Sequence, residues 1–332
     1  MSKIRVLLLC GGGSSEHEVS LVSANYVEQQ LKLHDDLLVD RVEIRDGAWF
    51  SSEGHKVRLD IETGSLVSSK ETFKVDYIVP CIHGFPGETG DIQPLFELAG
   101  VPYFGCGAEA SSNSFNKITS KLWYDAIKVP NTPYLFLTEN GAEAKSDAKL
   151  ALEQWGKIFV KAAKQGSSVG CYCVENAETL DETIDLAFTF SDQVLIEKAV
   201  KPRELEVAAY EFDGKLHITR AGEVIAPEDG FYTYDEKYGS GSHSTTKVVA
   251  DNLTEEQKDQ IADYSERVFK HMKLKDLSRI DFFLTEENEL FLNEVNTFPG
   301  MTPISMFPKM LENNGHSFSD YLYSAINTSI NK

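Results

Sequence analysis

The chain has 332 residues, 42% of them hydrophobic, and a formal net charge of −20. That length supports a large core shared among two or three domains. The charge excludes nucleic acid and anionic membrane as partners of the overall surface, while a local cluster of Lys and Arg still allows a small anionic substrate. Five cysteines, at 10, 81, 106, 171 and 173, show no CxxC spacing. They read as reduced thiols of a cytoplasmic protein. No apolar run approaches a membrane span, and the run from Val6 to Cys10 is too short for a signal peptide.

In chain order, residues 4–10 predict a buried strand and Gly11 to Gly13 a tight turn. Ser15 and Glu18 have the S-x-x-E spacing of a capping box that would open a helix with Val19, Val22, Tyr26, Val27 and Leu31 on its apolar face. Strands near 38–45 and 77–84, a loop GFPGETGD, a helix over 91–99 and a short strand over 101–105 follow. This alternation predicts a parallel sheet with helices on its faces. Residues 114–128 predict one amphipathic helix, ended by Pro130. The pattern then restarts as a small α+β unit. It has strands at 134–137, 157–163 and 193–200, helices at 146–155 and 177–190, and a loop KQGSSVG. Residues 203–225 predict a hairpin turning at Asp213-Gly214. A polar loop covers 228–244, a helix 254–273, a second hairpin 279–296, and two short helices close the chain. The expected domains are 1–112, 113–202 and 203–332.

The hairpin RIDFFLTEENELFLNEVN carries an electrostatic conflict. A turn at Glu287-Asn288 sets Asp281 opposite Glu294 and Arg279 opposite Asn296, all on one face. Phe282, Leu284, Phe291 and Val295 are expected on the other. Facing carboxylates destabilise a sheet, and burying them unpaired costs several kcal/mol, in order of magnitude. A hard divalent cation would resolve the conflict, since Asp, Glu and Asn oxygens suit Mg²⁺. A solvated edge hairpin in which Arg279 neutralises one acid is the alternative.

Such a cation usually carries nucleotide phosphates. The chain has no G-x-x-x-x-G-K-[ST] motif, and Glu16 stands where a dinucleotide fingerprint from Gly11 needs its third glycine. Glu16 would suit an ammonium group, or is an ordinary acid of a first helical turn. A nicotinamide dehydrogenase is thereby disfavoured. Lys161 at a strand end, followed by Gln165-Gly166-Ser167-Ser168-Val169-Gly170, can cradle a phosphate with Lys117 as a second cation. A flexible hairpin tip would look the same.

The segments HGFPGETGDIQ, FNKITSK, FVKAAKQGSSVG, LIEKAV-x-x-RELEVA, EKY, SRIDFF and NEVNTFPGMTPIS resemble the D-alanine–D-alanine ligases of the ATP-grasp superfamily, in order from about residue 5 to 330. The resemblance implies a three-domain ATP-grasp architecture, α/β and α+β, with an N-terminal parallel α/β domain. It implies a cytoplasmic, homodimeric ligase that joins two D-alanines for peptidoglycan precursors through an acylphosphate. ATP and two Mg²⁺ ions are the implied cofactors, with Mn²⁺ able to substitute.

Residue roles follow from the same resemblance. Lys117, Lys161 and Ser168 match phosphate contacts. Glu197, Lys198 and Val200 match the adenine strand and hinge, and Glu204 the ribose acid. Asp281, Glu294 and Asn296 match the metal ligands, and Arg279 with the Gly300 N–H the oxyanion donors. Glu16 matches the partner of the first substrate's ammonium, linked to the hydroxyls of Ser167 and Tyr238. Lys237 matches the lysine that follows the transferred phosphoryl group. Ser305 and Met306 match the site of the second carboxylate. His83 matches a histidine lining the first-substrate site, although a strand-end histidine is often structural. The 228–244 loop is then a lid that excludes water from the acylphosphate. A phenol at Tyr238 goes with an amine nucleophile, a phenylalanine with D-lactate. Thr89 stands where many members have Asp, and Ala162 where they have Pro. A ligase for another amino or hydroxy acid, such as D-serine or D-lactate, and a non-catalytic nucleotide-binding module are the alternative readings.

Overall fold

The computed structural model describes residues 3–225 and 245–331. The 228–244 lid, with Lys237 and Tyr238, therefore lies outside the described residues. Three sheets organise the chain. The first holds β1 (Ile4–Gly11), β2 (Leu37–Arg45), β3 (Ala48–Ser51), β4 (Lys56–Asp60), β5 (Ser65–Ser68), β6 (Thr72–Lys74) and β7 (Tyr77–Pro80) in the order β6-β5-β4-β3-β2-β1-β7. Only the β2-β1-β7 part is parallel; β3 to β6 continue as an antiparallel meander. The expected parallel sheet is therefore confined to those three strands. The meander starts at Asp46-Gly47, whose φ values of 50° and 71° suit a two-residue hairpin turn. Val6, Leu7, Leu8, Leu9 and Cys10 are all buried, as a strand covered on both faces requires.

Helix α1 (His17–Leu31) has Glu16 as its N-cap, one residue past the expected Ser15. After α2 (Gln93–Leu98), residues 101–105 form only a bridge from Tyr103 to Ile78 rather than a strand. The single helix expected over 114–128 is two, α3 (Ala108–Phe115) and α4 (Lys117–Ala126). Asn116 breaks it: its backbone is extended, and its side chain accepts the N–H groups of Ile118 and Thr119.

The second sheet holds β8 (Tyr134–Leu137), β9 (Ile158–Ala162), β10 (Cys171–Val174) and β11 (Val194–Lys198) in the order β10-β9-β11-β8. Strand β10 had no sequence signal beyond its alternation. Helices α5 (Ala142–Trp155) and α6 (Ala177–Phe188) cover one face through Ile158, Val160, Ile196, Leu180 and Ile184. The opposite face carries Lys161, Glu197 and Cys171.

The third sheet runs β15-β14-β12-β16-β17, with β13 paired to β12. Its strands are β12 (Pro202–Phe212), β13 (Lys215–Ile218), β14 (Gly222–Ile225), β15 (Thr245–Lys247), β16 (Leu277–Thr285) and β17 (Leu290–Asn296). The Asp213-Gly214 turn forms as expected, but the segment makes three strands rather than two. Helix α7 (Glu255–His271), opened by a Thr254–Gln257 capping box, packs on Leu205, Val207, Ile280 and Phe282. Helices α8 (Met306–Asn313) and α9 (Phe318–Ile330) share one core with α1, β1 and β7, so the first and third sheets are welded together. Among the described residues no helix is long and apolar enough to cross a membrane.

Candidate active site

The acidic hairpin pairs as its alternation predicted: Arg279 opposite Asn296 and Asp281 opposite Glu294. A bulge next to Asp281 then shifts the register, so Phe282 meets Leu292 and Leu284 meets Leu290. The extra residue turns Phe291 away from the core. Leu290 and Leu292 are buried in its place, which corrects the expected apolar face. The neighbouring strand adds a residue that sequence reasoning passed over. Glu206 on β12 lies opposite Asp281, so Glu206, Asp281 and Glu294 form one row across three strands. The segment Arg-Glu-Leu-Glu-Val held the signal, since Glu204 and Glu206 share a face at strand period.

Arg279 offsets this repulsion. Its Nε and Nη2 donate to the two Asp281 oxygens at 2.8 and 2.7 Å, and its Nε lies 3.4 Å from Glu206. Burial alone would lower the guanidinium's pKa, but Asp281 and Glu206 hold it well above the ordinary value. The neutralisation offered as the alternative to a metal is therefore present. Asn296 Nδ2 also donates to Asp281, at 3.0 Å. That orientation leaves Oδ1 as the amide's one atom able to bind a cation. Among the described residues no group of three or more His, Cys, Asp and Glu is gathered as a metal cage. The donor set is instead that of an open oxygen site, which phosphate and water oxygens would complete.

The second sheet has a charged side of its own, near enough to this row for Glu294 to act on Lys161. Glu197, 1% exposed, lies between two lysines, with Lys121 Nζ at 2.6 Å and Lys161 Nζ at 2.5 Å. Burial would raise the Glu197 carboxyl, but Lys161 and Lys121 hold it well below the usual carboxylate range. Burial likewise acts to lower Lys161, while Glu197 and the third sheet's Glu294 hold it above the ordinary lysine range. The two charged faces thus act on one another. Lys117 Nζ donates to the Gln165 carbonyl at 2.5 Å and braces the KQGSSVG loop, in which Ser167 and Ser168 both take left-handed φ values, 50° and 63°. Two such residues in succession are strained unless their surroundings fix them. Glu204 lies on β12, Lys198 at the end of β11 and Val200 just beyond it.

The first sheet supplies the third wall. The Ser167 hydroxyl donates to Glu16 Oε1 at 2.6 Å and joins the loop to the start of α1. Glu16 fits between two glycines: a Cβ at Gly166 would lie 3.1 Å from Oε2, and one at Gly84 3.0 Å from it. Gly84 also has φ +64°. The Gly84→Ala variant is expected to lose about 1–2 kcal/mol of stability from left-handed strain alone, read as a lower midpoint in urea unfolding.

His83 does not line an open site. It is 3% exposed; Nδ1 lies 3.0 Å from the Phe298 carbonyl and Nε2 2.8 Å from Ser23 Oγ. The carbonyl can only accept, so Nδ1 carries the proton and the Ser23 hydroxyl donates to Nε2. Ser23 Oγ in turn accepts the Met301 N–H at 3.3 Å. Burial lowers the imidazole's pKa and favours this neutral form. His83 and Ser23 thereby hold residues 298–301, which include Gly300. Ser305 Oγ accepts the Thr302 N–H at 3.1 Å, and a Cβ at Gly300 would lie 2.9 Å from it. The Met306 side chain belongs to the core, so only its backbone N–H in the first turn of α8 is available to a carboxylate.

Comparison with known proteins decides the family. The profile described as "D-ala D-ala ligase N-terminus" matches residues 5–106, and "D-ala D-ala ligase C-terminus" matches 123–327. The D-alanine–D-alanine ligase of Vibrio parahaemolyticus is 66% identical over 323 residues, 97% of this chain and 98% of the relative. The chain belongs to the D-alanine–D-alanine ligase family. The solved D-alanyl-alanine synthetase A of Vibrio cholerae, 62% identical, covers 100% of both chains with a TM-score of 0.96. The VanG D-Ala:D-Ser ligase of Enterococcus faecalis, 27% identical with a TM-score of 0.86, covers 98% of this chain and 99% of its own. The ATP-grasp ligase fold and the ligase class expected from the sequence motifs are borne out by these relatives.

Proposed function

We propose that the chain joins two D-alanines into D-alanyl-D-alanine with cleavage of ATP to ADP and phosphate, for peptidoglycan precursors, as a cytoplasmic homodimer. In this reading the domains are residues 1–112, 113–202 and 203–332. The observation that carries the reading is the opposition of two charged sheet faces. Lys161 and Glu197 stand on one, and the row of Glu206, Asp281 and Glu294 beside Arg279 on the other.

ATP lies between these faces. Lys117, Lys161 and Ser168 bind its phosphates, Glu197, Lys198 and Val200 its adenine, and Glu204 its ribose. Asp281, Glu294 and Asn296 are the residues that would hold two Mg²⁺ ions, or Mn²⁺, which supply charge neutralisation to the β- and γ-phosphates. Glu16, fixed by Ser167, takes the ammonium of the first D-alanine, with Tyr238 completing the link. The carboxylate oxygen of that alanine attacks the γ-phosphorus, ADP leaves, and an acylphosphate results. Lys237 accompanies the transferred group. The second D-alanine is held by its carboxylate at Ser305 and the Met306 N–H. Its amine, having lost a proton, attacks the acyl carbon, and phosphate leaves. Arg279 and the Gly300 N–H donate to the oxyanion that forms between these two events. His83 and Ser23 keep Gly300 in place, so His83 is a positioning residue rather than a substrate contact.

Phosphate release from ATP tests the reading. Release is expected to require D-alanine and to ignore NAD; release at an equal rate without D-alanine would contradict it. The VanG relative, named for D-Ala:D-Ser ligation, makes D-serine the informative competitor for the second site.

A further inference from the structure

Lys121 lies one helical turn after Lys117 on α4 and is 2% exposed. Four acceptors surround its Nζ. They are Asn131 Oδ1 at 3.1 Å, the Thr132 carbonyl at 3.1 Å, Thr132 Oγ1 at 3.0 Å and Glu197 Oε1 at 2.6 Å. An ammonium has three N–H donors and a neutral amine two, so this is an ammonium's environment. With its donors committed and its surface covered, Lys121 touches no substrate. The Thr132 hydroxyl donates to the same Glu197 oxygen, and the other, Oε2, goes to Lys161.

Charge counting gives this triad a purpose. Glu197 and Lys161 alone would be a neutral pair, and a neutral pair has no net attraction for a polyphosphate. Two lysines on one carboxylate leave a net charge of +1. Lys161, with 14% of its side chain exposed against 3% for Lys121, is the member that reaches the cleft. We infer that Lys121 is a positioning residue for ATP: it occupies one oxygen of Glu197, so that Lys161 can offer positive charge to the triphosphate. The inference rests on the proposed reading of Lys161 as a phosphate contact and names the device that frees it for that task.

The test compares four proteins by calorimetric titration with ATP and with adenosine. The triad's charge is +1 in the wild type, 0 in Lys121→Met, +2 in Glu197→Gln and +1 in the double variant. The ratio of ATP to adenosine affinity is expected to follow that charge. Lys121→Met should lose about tenfold or more of it, Glu197→Gln should gain, and the double variant should return towards the wild type. Adenosine serves as the control for packing. A purely structural lysine would weaken ATP and adenosine together and leave their ratio the same in all four proteins; that outcome overturns the inference. Should Lys121→Met not fold, Glu197→Gln against the double variant, which leaves only the Lys161 charge at this site, still separates +2 from +1. Equal ratios in that pair also overturn it. A wild type that binds ATP no better than adenosine would instead refute the phosphate site itself.

Discussion

Replacing Arg279 with methionine is expected to lower turnover by roughly 10²–10³-fold, the typical cost of one oxyanion donor. The same change removes the cation that holds Asp281 and Glu206 together, so stability should fall as well, by about 3 kcal/mol for a broken buried pair. Arg279→Lys separates the two effects. A lysine keeps the charge beside the carboxylates but lacks the planar fork that bonds both Asp281 oxygens, at 2.7 and 2.8 Å, while still facing Glu206. Its unfolding midpoint should recover most of the way, and its turnover should not. Steady-state kinetics and urea unfolding on the three proteins check this. Equal recovery of rate and stability in the lysine variant would assign Arg279 to structure alone.

Asp281→Asn is the second large effect. The substitution keeps the shape of the side chain and removes its charge. On the proposed reading a divalent cation would then lose one of its two carboxylate ligands, and Arg279 loses its main partner. The Mg²⁺ concentration for half-maximal turnover should rise at least tenfold, and the rate at saturating Mg²⁺ should fall by about 100-fold. Titrating the activity of both proteins with MgCl₂ measures both quantities. Glu206→Gln is the control, since Glu206 stands in the same row on the neighbouring strand, 3.4 Å from Arg279 Nε, and is not among the proposed metal ligands. A Mg²⁺ midpoint unchanged in Asp281→Asn, or moved equally by Glu206→Gln, would take Asp281 out of the metal site.

Much of this site was legible before the fold was known. The pairing of Asp281 with Glu294 followed from strand alternation and a polar turn, because a strand's period of two fixes faces as soon as one turn is placed. The bulge was not legible: an added residue has no compositional signature, yet it moved Phe291 out of the core and brought Leu290 and Leu292 in. The meander from β3 to β6 was passed over because its strands are only three to five residues long and partly exposed. Its turn residues were the readable part.

Side chains that meet from distant elements were the hardest to see. Nothing in the spacing of α4 shows that Lys121 will face Glu197 on β11, since that contact depends on how the helix seats on the second sheet. The Ser15–Glu18 spacing looked like a cap, but Ser14 organises the turn: its hydroxyl donates to the His83 carbonyl and accepts the Glu16 N–H. A tertiary contact there moves the helix start by one residue. His83 itself was visible as a strand-end histidine, and its role as a brace for residues 298–301 required the third sheet to be in place.

The most direct measurement is mass spectrometry of the products formed from ATP, Mg²⁺ and an equimolar mixture of D-alanine, D-serine and D-lactate. D-alanyl-D-alanine should dominate, with one ADP and one phosphate for each dipeptide. A mixture in which the ester or the D-serine dipeptide prevails, or in which ATP is consumed without any new amide, would contradict the account.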